Sequence, residues 1–232
     1  MEKITITQNG FNGRYMSYLY GKLRDRFDFL SATLDMHKES DCTEISFRVE
    51  DAYRPYVRKF TEDVISDIMS VGYKYAFFER RVPVPLLNAG EKRLLLTAVV
   101  SADYKEDKAY IQRRLRGQKI YCLDGFYRFR LRDLQKRWES VLEYLPETIT
   151  ARGVEEFVGY LTEDAEGNAF VKEGKAYDSE YRVLSRSILT GEKSLTGEIL
   201  LCGAGNVCCF GGTDEETRAF LQKYYGEKAR FY

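Results

Sequence analysis

The chain has 232 residues, enough for one large domain or two small lobes with a buried core. Its 36 basic and 36 acidic side chains cancel, so no global field points to nucleic acid or a membrane, and electrostatic arguments must be local. No apolar run approaches the length of a membrane span, and residues 1–6 lack the apolar core of a signal peptide, which predicts a cytoplasmic protein that does not enter a membrane.

Residues 1–82 predict a layer of order β-α-β-β-α. Strands are indicated where apolar and polar residues alternate, and helices where apolar residues recur at steps of three and four. In the last helix this periodicity is unbroken, and Pro55 lies in its first turn, where the missing N–H does little harm. The predicted elements are a strand at 2–7, a helix capped by Asn12, strands at 29–36 and 43–49, and a helix at 51–78.

Residues 83–162 predict a helical middle. The two prolines of residues 82–85 break the preceding helix and mark a domain boundary. Asn88 and Glu91 have the spacing of a capping box, in which each side chain bonds the backbone N–H of the other residue. Further helices are predicted at 106–116, 124–145 and 151–160.

Residues 163–232 predict a third part, of order strand, helix, strand, helix, strand, which completes an α+β protein. Its glycines follow no nucleotide-binding motif, and tight turns explain them. Residues 203–206 are expected to join two strands as a hairpin. The predicted elements are strands at 169–172, 199–202, 207–210 and 229–232, a helix at 178–189, and a helix that starts at a capping box of Thr213 and Glu216.

The stretch 124–145 holds the densest run of aromatic and basic residues and predicts one amphipathic helix with Asp124 as its cap. Its apolar stripe comprises Tyr127, Leu131, Leu134, Trp138, Val141 and Leu145. Its basic residues lie on other faces. The candidate binding residues are Arg128, Arg130, Arg132, Lys136 and Arg137.

These five basic side chains have two open interpretations. They lie in a basic stretch, 113–137, and could bind phosphates, with Tyr127 or Trp138 available for stacking. Alternatively they pair with the acidic stretch 139–180 or stay solvated, since exposed ion pairs contribute only about 0–1 kcal/mol. Arg130, flanked by apolar residues, favours a fixed pair with a carboxylate that anchors the helix to the C-terminal sheet.

Five cysteines and one histidine limit the chemistry open to the chain. The odd cysteine count without regular spacing argues against a disulfide framework. His37 is expected at the exposed end of a strand, and no C-x-x-C pair occurs, so neither a metal site nor a cofactor is predicted. No paired carboxylates stand out, and no catalytic residue is assigned, which leaves open an enzymatic site that a single sequence does not reveal.

Residues 124–133 resemble the Gly-Phe-x-x-Phe-Arg-Leu-x-Asp block ahead of a long helix in the YtxC-like sporulation protein family of spore-forming Firmicutes. The resemblance continues through residues 155–157 and through the order of elements in 169–232. The family has no established catalytic activity, so the resemblance implies a sporulation-linked context without a mechanism, and we expect a non-enzymatic protein. We expect it to bind another protein or its own copy, with nucleic acid or a phospho-ligand on helix 124–145 as the alternative.

Overall fold

The structure is a computed structural model that describes residues 2–10, 13–27, 33–39, 41–82, 84–118, 120–146, 148–163 and 165–232. It confirms an α+β fold with two four-stranded sheets in the described part of the chain. The chain forms two compact units, each made of two segments. Unit 1 comprises Met1–Tyr73 and Lys105–Val141, and unit 2 comprises Lys74–Tyr104 and Leu142–Tyr232. The sequence had placed its boundaries at 82/83 and 162/163.

The helices and strands of the described ranges follow in chain order. They are β1 (Glu2–Asn9), α1 (Arg14–Phe27), β2 (Leu34–Lys38), β3 (Cys42–Val49), α2 (Arg54–Asp67), a π-helical turn (Ile68–Tyr73), α3 (Lys74–Glu79), α4 (Ala89–Ala102), α5 (Tyr104–Leu115), β4 (Ile120–Cys122), α6 (Leu123–Arg130), α7 (Arg132–Glu143), α8 (Ala151–Glu163), β5 (Asn168–Lys172), β6 (Lys175–Tyr177), a 3-10 turn (Ser187–Thr190), α9 (Leu195–Cys202), β7 (Asn206–Phe210), α10 (Glu215–Tyr224), a 3-10 turn (Gly226–Lys228) and β8 (Ala229–Phe231).

Unit 1 contains a sheet of strand order β2-β3-β1-β4. β1 pairs antiparallel with β3 and parallel with β4, and β3 pairs antiparallel with β2. The expected β-α-β-β-α order is confirmed, although Asn12 and part of the strand expected at 29–36 lie outside the described residues. Of the apolar residues that predict the first helix, Met16, Leu19, Leu23 and Phe27 are buried, whereas Tyr20 is only partly buried.

Unit 2 contains a sheet of strand order β6-β5-β7-β8, with β5, β7 and β8 parallel and β6 antiparallel. One face of this sheet packs in a core with α9 and α10, where Val171, Val207, Ile199 and Leu221 are buried together. The capping box of Asn88 and Glu91 is confirmed, because both backbone N–H groups donate to the partner's side chain at 2.9 Å. The helices expected at 106–116 and 151–160 are present as α5 and α8.

The region 178–206 differs from its prediction. The expected strand 199–202 is the end of helix α9, and the hairpin expected at 203–206 is absent because Gly203, with φ +63°, ends that helix. A short apolar run does not distinguish a strand from a buried helix, whereas the Ser194 cap on the Gly197 N–H does. The helix expected at 178–189 is an irregular turn followed by the 3-10 turn.

The start of the last helix is one residue later than predicted. Asp214, and not Thr213, caps α10, since its carboxylate accepts the N–H of Thr217 at 2.8 Å. The closing strand is confirmed as β8. Close packing requires glycine at position 205, because a Cβ there would lie 1.9 Å from the carbonyl oxygen of Ala165.

Candidate functional site

The basic, aromatic stretch consists of two helices, α6 and α7, with a break at Leu131. Leu131 is buried and has φ −107° and ψ 19°, outside the helical region. Its carbonyl accepts the N–H of Gln135 at 2.9 Å, so α7 begins directly after it. The prediction of one continuous helix is therefore wrong, although Leu134 and Trp138 of its apolar stripe are buried as expected.

Two side chains satisfy carbonyl groups that the break leaves open. The last carbonyls of a helix have no partner within the helix. The Gln135 side-chain amide donates to the Tyr127 carbonyl at 2.7 Å, and Nε of Arg132 donates to the Arg128 carbonyl at 3.3 Å. Since neither Gly nor Pro stands at the break, local sequence does not mark it.

Tyr127 and Trp138 of this stretch pack against other side chains of unit 1. Trp138 is buried, and its indole N–H donates to Oδ2 of Asp107 at 2.9 Å. The ring of Tyr127 lies between those of Trp138 and Tyr73, at centroid distances of 6.4 and 4.8 Å. Neither Tyr127 nor Trp138 is therefore free to stack on a ligand, which corrects that part of the sequence interpretation.

Asp124 connects three elements of unit 1 and does not cap a helix. The cap position of α6 is Cys122, which makes no side-chain cap. The Asp124 carboxylate instead accepts the N–H of Asn9 and the hydroxyl of Tyr73, both at 2.7 Å. Burial of the phenol and the adjacent carboxylate both raise the pKa of Tyr73, so the hydroxyl remains a donor.

Two of the five candidate cations are held by neighbouring groups. The Arg132 guanidinium bonds the Arg128 carbonyl and lies 5.8 Å from the centroid of the Phe129 ring. The Arg137 guanidinium lies 4.9 Å from the centroid of the Tyr110 ring and 4.0 Å from Oδ1 of Asp107. Both side chains therefore have a fixed position on the surface.

The other three candidates, Arg128, Arg130 and Lys136, are exposed. Within the described part of the chain, none of their cationic groups has a hydrogen-bond or ion-pair partner. The carboxylate pair expected for Arg130 is thus not formed with any described residue. Phe129, between two of these arginines, is 68% exposed. We call Arg128, Phe129, Arg130, Arg132 and Lys136 the basic surface.

Four acidic residues of the stretch 139–180, and Asp133 before it, form ion pairs with cations outside the basic surface. Asp133, the acidic residue of the first turn of α7, lies 3.4 Å from the guanidinium of Arg114 on α5. Ion pairs of residues 142–180 occur within unit 2. They are Glu155–Lys223, Glu156–Arg152, Asp178–Arg182 and Glu180–Arg182. Arg128, Arg130 and Lys136 of the basic surface thus have no fixed counter-charge among the described residues, and cations in this state can bind phosphate oxygens.

A second feature is a cavity of about 230 Å³ in unit 2, lined by α4, the Ser187–Thr190 turn, α9 and α10. Its two serine hydroxyl groups form hydrogen bonds within the protein. Ser187 Oγ donates to Oε1 of the buried Glu198 at 2.6 Å, and Ser194 Oγ accepts the Gly197 N–H at 3.1 Å. These groups stabilise the turn before α9, so the cavity carries no assigned chemistry.

His37 is exposed on β2, as expected. Among the residues that the structure describes, His, Cys, Asp and Glu side chains form no group of three that could hold a metal ion. No helix in the described ranges combines the length and apolar character that crossing a membrane requires. No family model, curated protein or solved structure matches the chain, so the resemblance to the YtxC-like family stays a prediction.

Proposed function

We propose that the protein binds nucleic acid through the basic surface. One observation carries the proposal: Arg128, Arg130 and Lys136 are exposed on α6 and α7 and have no carboxylate partner among the described residues. Cations in this state attract phosphates and release counterions when they bind. Arginine in addition matches two phosphate oxygens with its planar fork.

Phe129 supports nucleic acid over a simple anion. The residue is 68% exposed, and the Arg132 guanidinium lies over its ring at 5.8 Å from the centroid. An exposed ring flanked by Arg128 and Arg130 can contact a base or a sugar while the arginines contact phosphates. Inorganic phosphate would use the cations alone.

The test is binding of a fluorescently labelled oligonucleotide, followed by anisotropy over a series of salt concentrations. We expect Arg128→Glu with Lys136→Glu to abolish binding, because two attractive charges become repulsive. Single neutral substitutions, Arg128→Gln or Lys136→Gln, should each reduce the slope of log K against log salt by about 0.7–0.9, the change for one phosphate contact.

A matched control is Arg24→Glu with Lys59→Glu, which changes the net charge equally at exposed positions on α1 and α2. The proposal requires the control to retain most of the affinity. Equal losses in both double variants would mean that total charge, and not the basic surface, determines binding. The proposal would be refuted outright if the natural chain did not bind the oligonucleotide at low salt.

The sporulation-linked protein interaction stays a second proposal, since it rests on the resemblance. Exposed Phe129 between two arginines also supports it, because aromatic residues and arginine are enriched at protein interfaces. Crosslinking in sporulating cells tests it. A defined partner that is lost with Arg128→Glu and Lys136→Glu, without oligonucleotide binding, would favour this function over the first. A lone monomer in such extracts would count against it.

A further inference from the structure

A row of four aromatic rings crosses one side of the sheet in unit 2. Tyr181 stacks on Phe170 with ring centroids 4.8 Å apart, Phe170 neighbours Phe210 at 6.4 Å, and Phe210 stacks on Tyr232 at 5.2 Å. The residues Tyr181, Phe210 and Tyr232 are 71%, 42% and 65% exposed. We call these four residues the aromatic row.

The row lies on the side of the sheet opposite its core. In β5 and β7 the buried residues alternate with Phe170 and Phe210, and register pairs Phe170 with Cys208 and Lys172 with Phe210. Cross-strand partners point to the same side. The strand residues on this side are Asn168, Phe170, Lys172, Lys175, Tyr177, Asn206, Cys208, Phe210 and Arg230.

These positions carry cations and no carboxylate. Lys172, Lys175 and Arg230 are exposed, and no described Asp or Glu lies within ion-pair distance of them. Register places Lys175 beside Lys172, and Arg230 beside Cys208. The side therefore combines apolar rings with positive charge, which is complementary to a ligand of bases and phosphates. A second copy on this side would bring cations opposite cations, which disfavours self-association there.

Tyr181 is held in an unfavourable backbone conformation to join the row. Its φ is +57°, a region that bulky residues rarely adopt. The Asp178 carboxylate fixes this turn, since it accepts the N–H groups of Glu180 and Arg182 at 2.9 and 3.0 Å and Nε of Arg182 at 2.8 Å. Strained backbone that is held by a dedicated network concentrates at ligand-binding sites.

We propose that the aromatic row stacks nucleic-acid bases, so that the protein prefers single strands to duplexes. The inference rests on the proposed function in taking nucleic acid as the ligand. Tyr181 and Tyr232 form the two ends of the row, and each stacks on one described ring, so a base can extend the stack at either end. Duplex bases are already stacked and paired, whereas single-strand bases are available for aromatic contacts.

The experiment uses the full chain and a single-stranded oligonucleotide that contains 2-aminopurine, with the corresponding duplex as competitor. We expect 2-aminopurine fluorescence to fall on binding and the single strand to bind at least about tenfold more tightly than the duplex. Loss of one stacked ring weakens single-strand binding by roughly five- to a hundredfold. We expect this loss for Tyr232→Ala and Tyr181→Asn.

The variants are chosen to separate the ring from the fold. Asparagine tolerates a positive φ, so Tyr181→Asn keeps the turn and removes the ring. Tyr181→Phe and Tyr232→Phe keep a ring and should retain binding. Tyr160→Ala, on α8, removes a tyrosine that is 64% exposed outside the row and should leave affinity unchanged. Urea unfolding midpoints close to that of the natural chain show that each variant is folded.

The outcomes separate the two proposals. Weaker single-strand binding by Tyr181→Asn and Tyr232→Ala with an unchanged salt slope supports the aromatic row. The inference is overturned if single strand and duplex bind with equal affinity and these variants leave that affinity unchanged. The double variant Arg128→Glu with Lys136→Glu tests the basic surface independently. If the row variants convert a dimer into a monomer in sedimentation and leave oligonucleotide binding intact, the row is an interface between copies and the inference is wrong.

Discussion

The indole N–H of Trp138 donates to Oδ2 of Asp107 across 2.9 Å, and both side chains are buried. The other carboxylate oxygen, Oδ1, lies 4.0 Å from the guanidinium of Arg137. Arg137 directly precedes Trp138 in α7 and is exposed. One carboxylate of α5 thus positions both a core residue and a surface cation of α7.

Removal of this carboxylate should destabilise unit 1. Asp107→Ala leaves the buried indole N–H without its acceptor, which costs about 1–3 kcal/mol of unfolding free energy. Urea titration followed by the fluorescence of Trp138, the chain's one tryptophan, measures it. Asp107→Asn keeps an acceptor and should lose less. The exposed neighbour provides the control, since Glu106→Ala should change stability by under about 0.5 kcal/mol.

Replacement of Gly72 by alanine should destabilise the protein, although alanine ordinarily favours a helix. Gly72 lies in the π-helical turn, and a Cβ there would be 2.5 Å from Cε1 of the buried Tyr15 ring. Gly72→Ala should therefore destabilise the protein by about 1–3 kcal/mol through overpacking. Gly21 in α1 has no atom within 4 Å of such a Cβ, so Gly21→Ala should stabilise it by roughly 0.5–1 kcal/mol. In thermal unfolding, we expect the midpoint to fall for Gly72→Ala and to rise for Gly21→Ala. Shifts of the same sign in both variants would contradict the packing argument.

Glu198 should be the most sensitive carboxylate of unit 2. Its buried oxygens accept the N–H groups of Arg186 and Ser187 at 2.8 and 2.6 Å and the Ser187 hydroxyl at 2.6 Å. Glu198→Ala leaves these donors unsatisfied and should cost roughly 1.5–3 kcal/mol or more in denaturant unfolding. Glu192 pairs with Arg93 at the surface, so Glu192→Ala should cost under about 1 kcal/mol. Similar losses in both variants would refute this ranking.

The turn that presents Tyr181 should open in acid. Partial burial acts to raise the pKa of the Asp178 carboxyl, but hydrogen bonds from Arg182 and the Glu180 N–H outweigh it, and the pKa is lowered from 3.8. A carboxyl whose pKa is lower in the folded state stabilises that state above its unfolded pKa. This contribution disappears as pH falls below 3.8 through the lowered value.

The amide resonance of Tyr181 reports this transition in a pH titration by NMR. Asp178→Asn should remove the transition, since no carboxyl remains to titrate. The same transition in that variant would show that another group causes it. Asp214, whose pKa is also lowered by its Thr217 hydrogen bonds, titrates at the cap of α10 and is followed separately at the Thr217 amide.

The sequence predicted those elements whose signals are local. The Asn88–Glu91 box places both partners within four residues, and the helices α5 and α8 have regular apolar steps. The break at Leu131 depends on partners that come from the other helix of the pair, such as Gln135 on the Tyr127 carbonyl. No propensity at Leu131 itself reveals it, and so the two-helix arrangement was missed.

The two candidate surfaces differ in the same respect, since the sequence identified the basic surface but not the aromatic row. Arg128, Arg130 and Lys136 were identified from composition, because charges on a surface need no particular neighbour. The aromatic row was missed, although the strands that carry Phe170 and Phe210 were predicted correctly. The row exists because β5 and β7 pair in parallel across residues far apart in sequence. Alternation within a strand assigns each ring to one side of that strand, but only the register between strands places the rings together.

Each compact unit is made of two separate stretches of the chain, which affects both biosynthesis and truncation. The strands of unit 1 that precede residue 74 need β4 and α5 to α7 to complete the unit. During translation, residues 74–104 are therefore synthesised before unit 1 can be completed. Expression of residues 1–104 alone would leave β1 with an open edge where β4 belongs, and open edges promote aggregation. Dissection at a single cut is therefore unsuited to this protein, and point substitutions in the whole chain are the means to assign its surfaces.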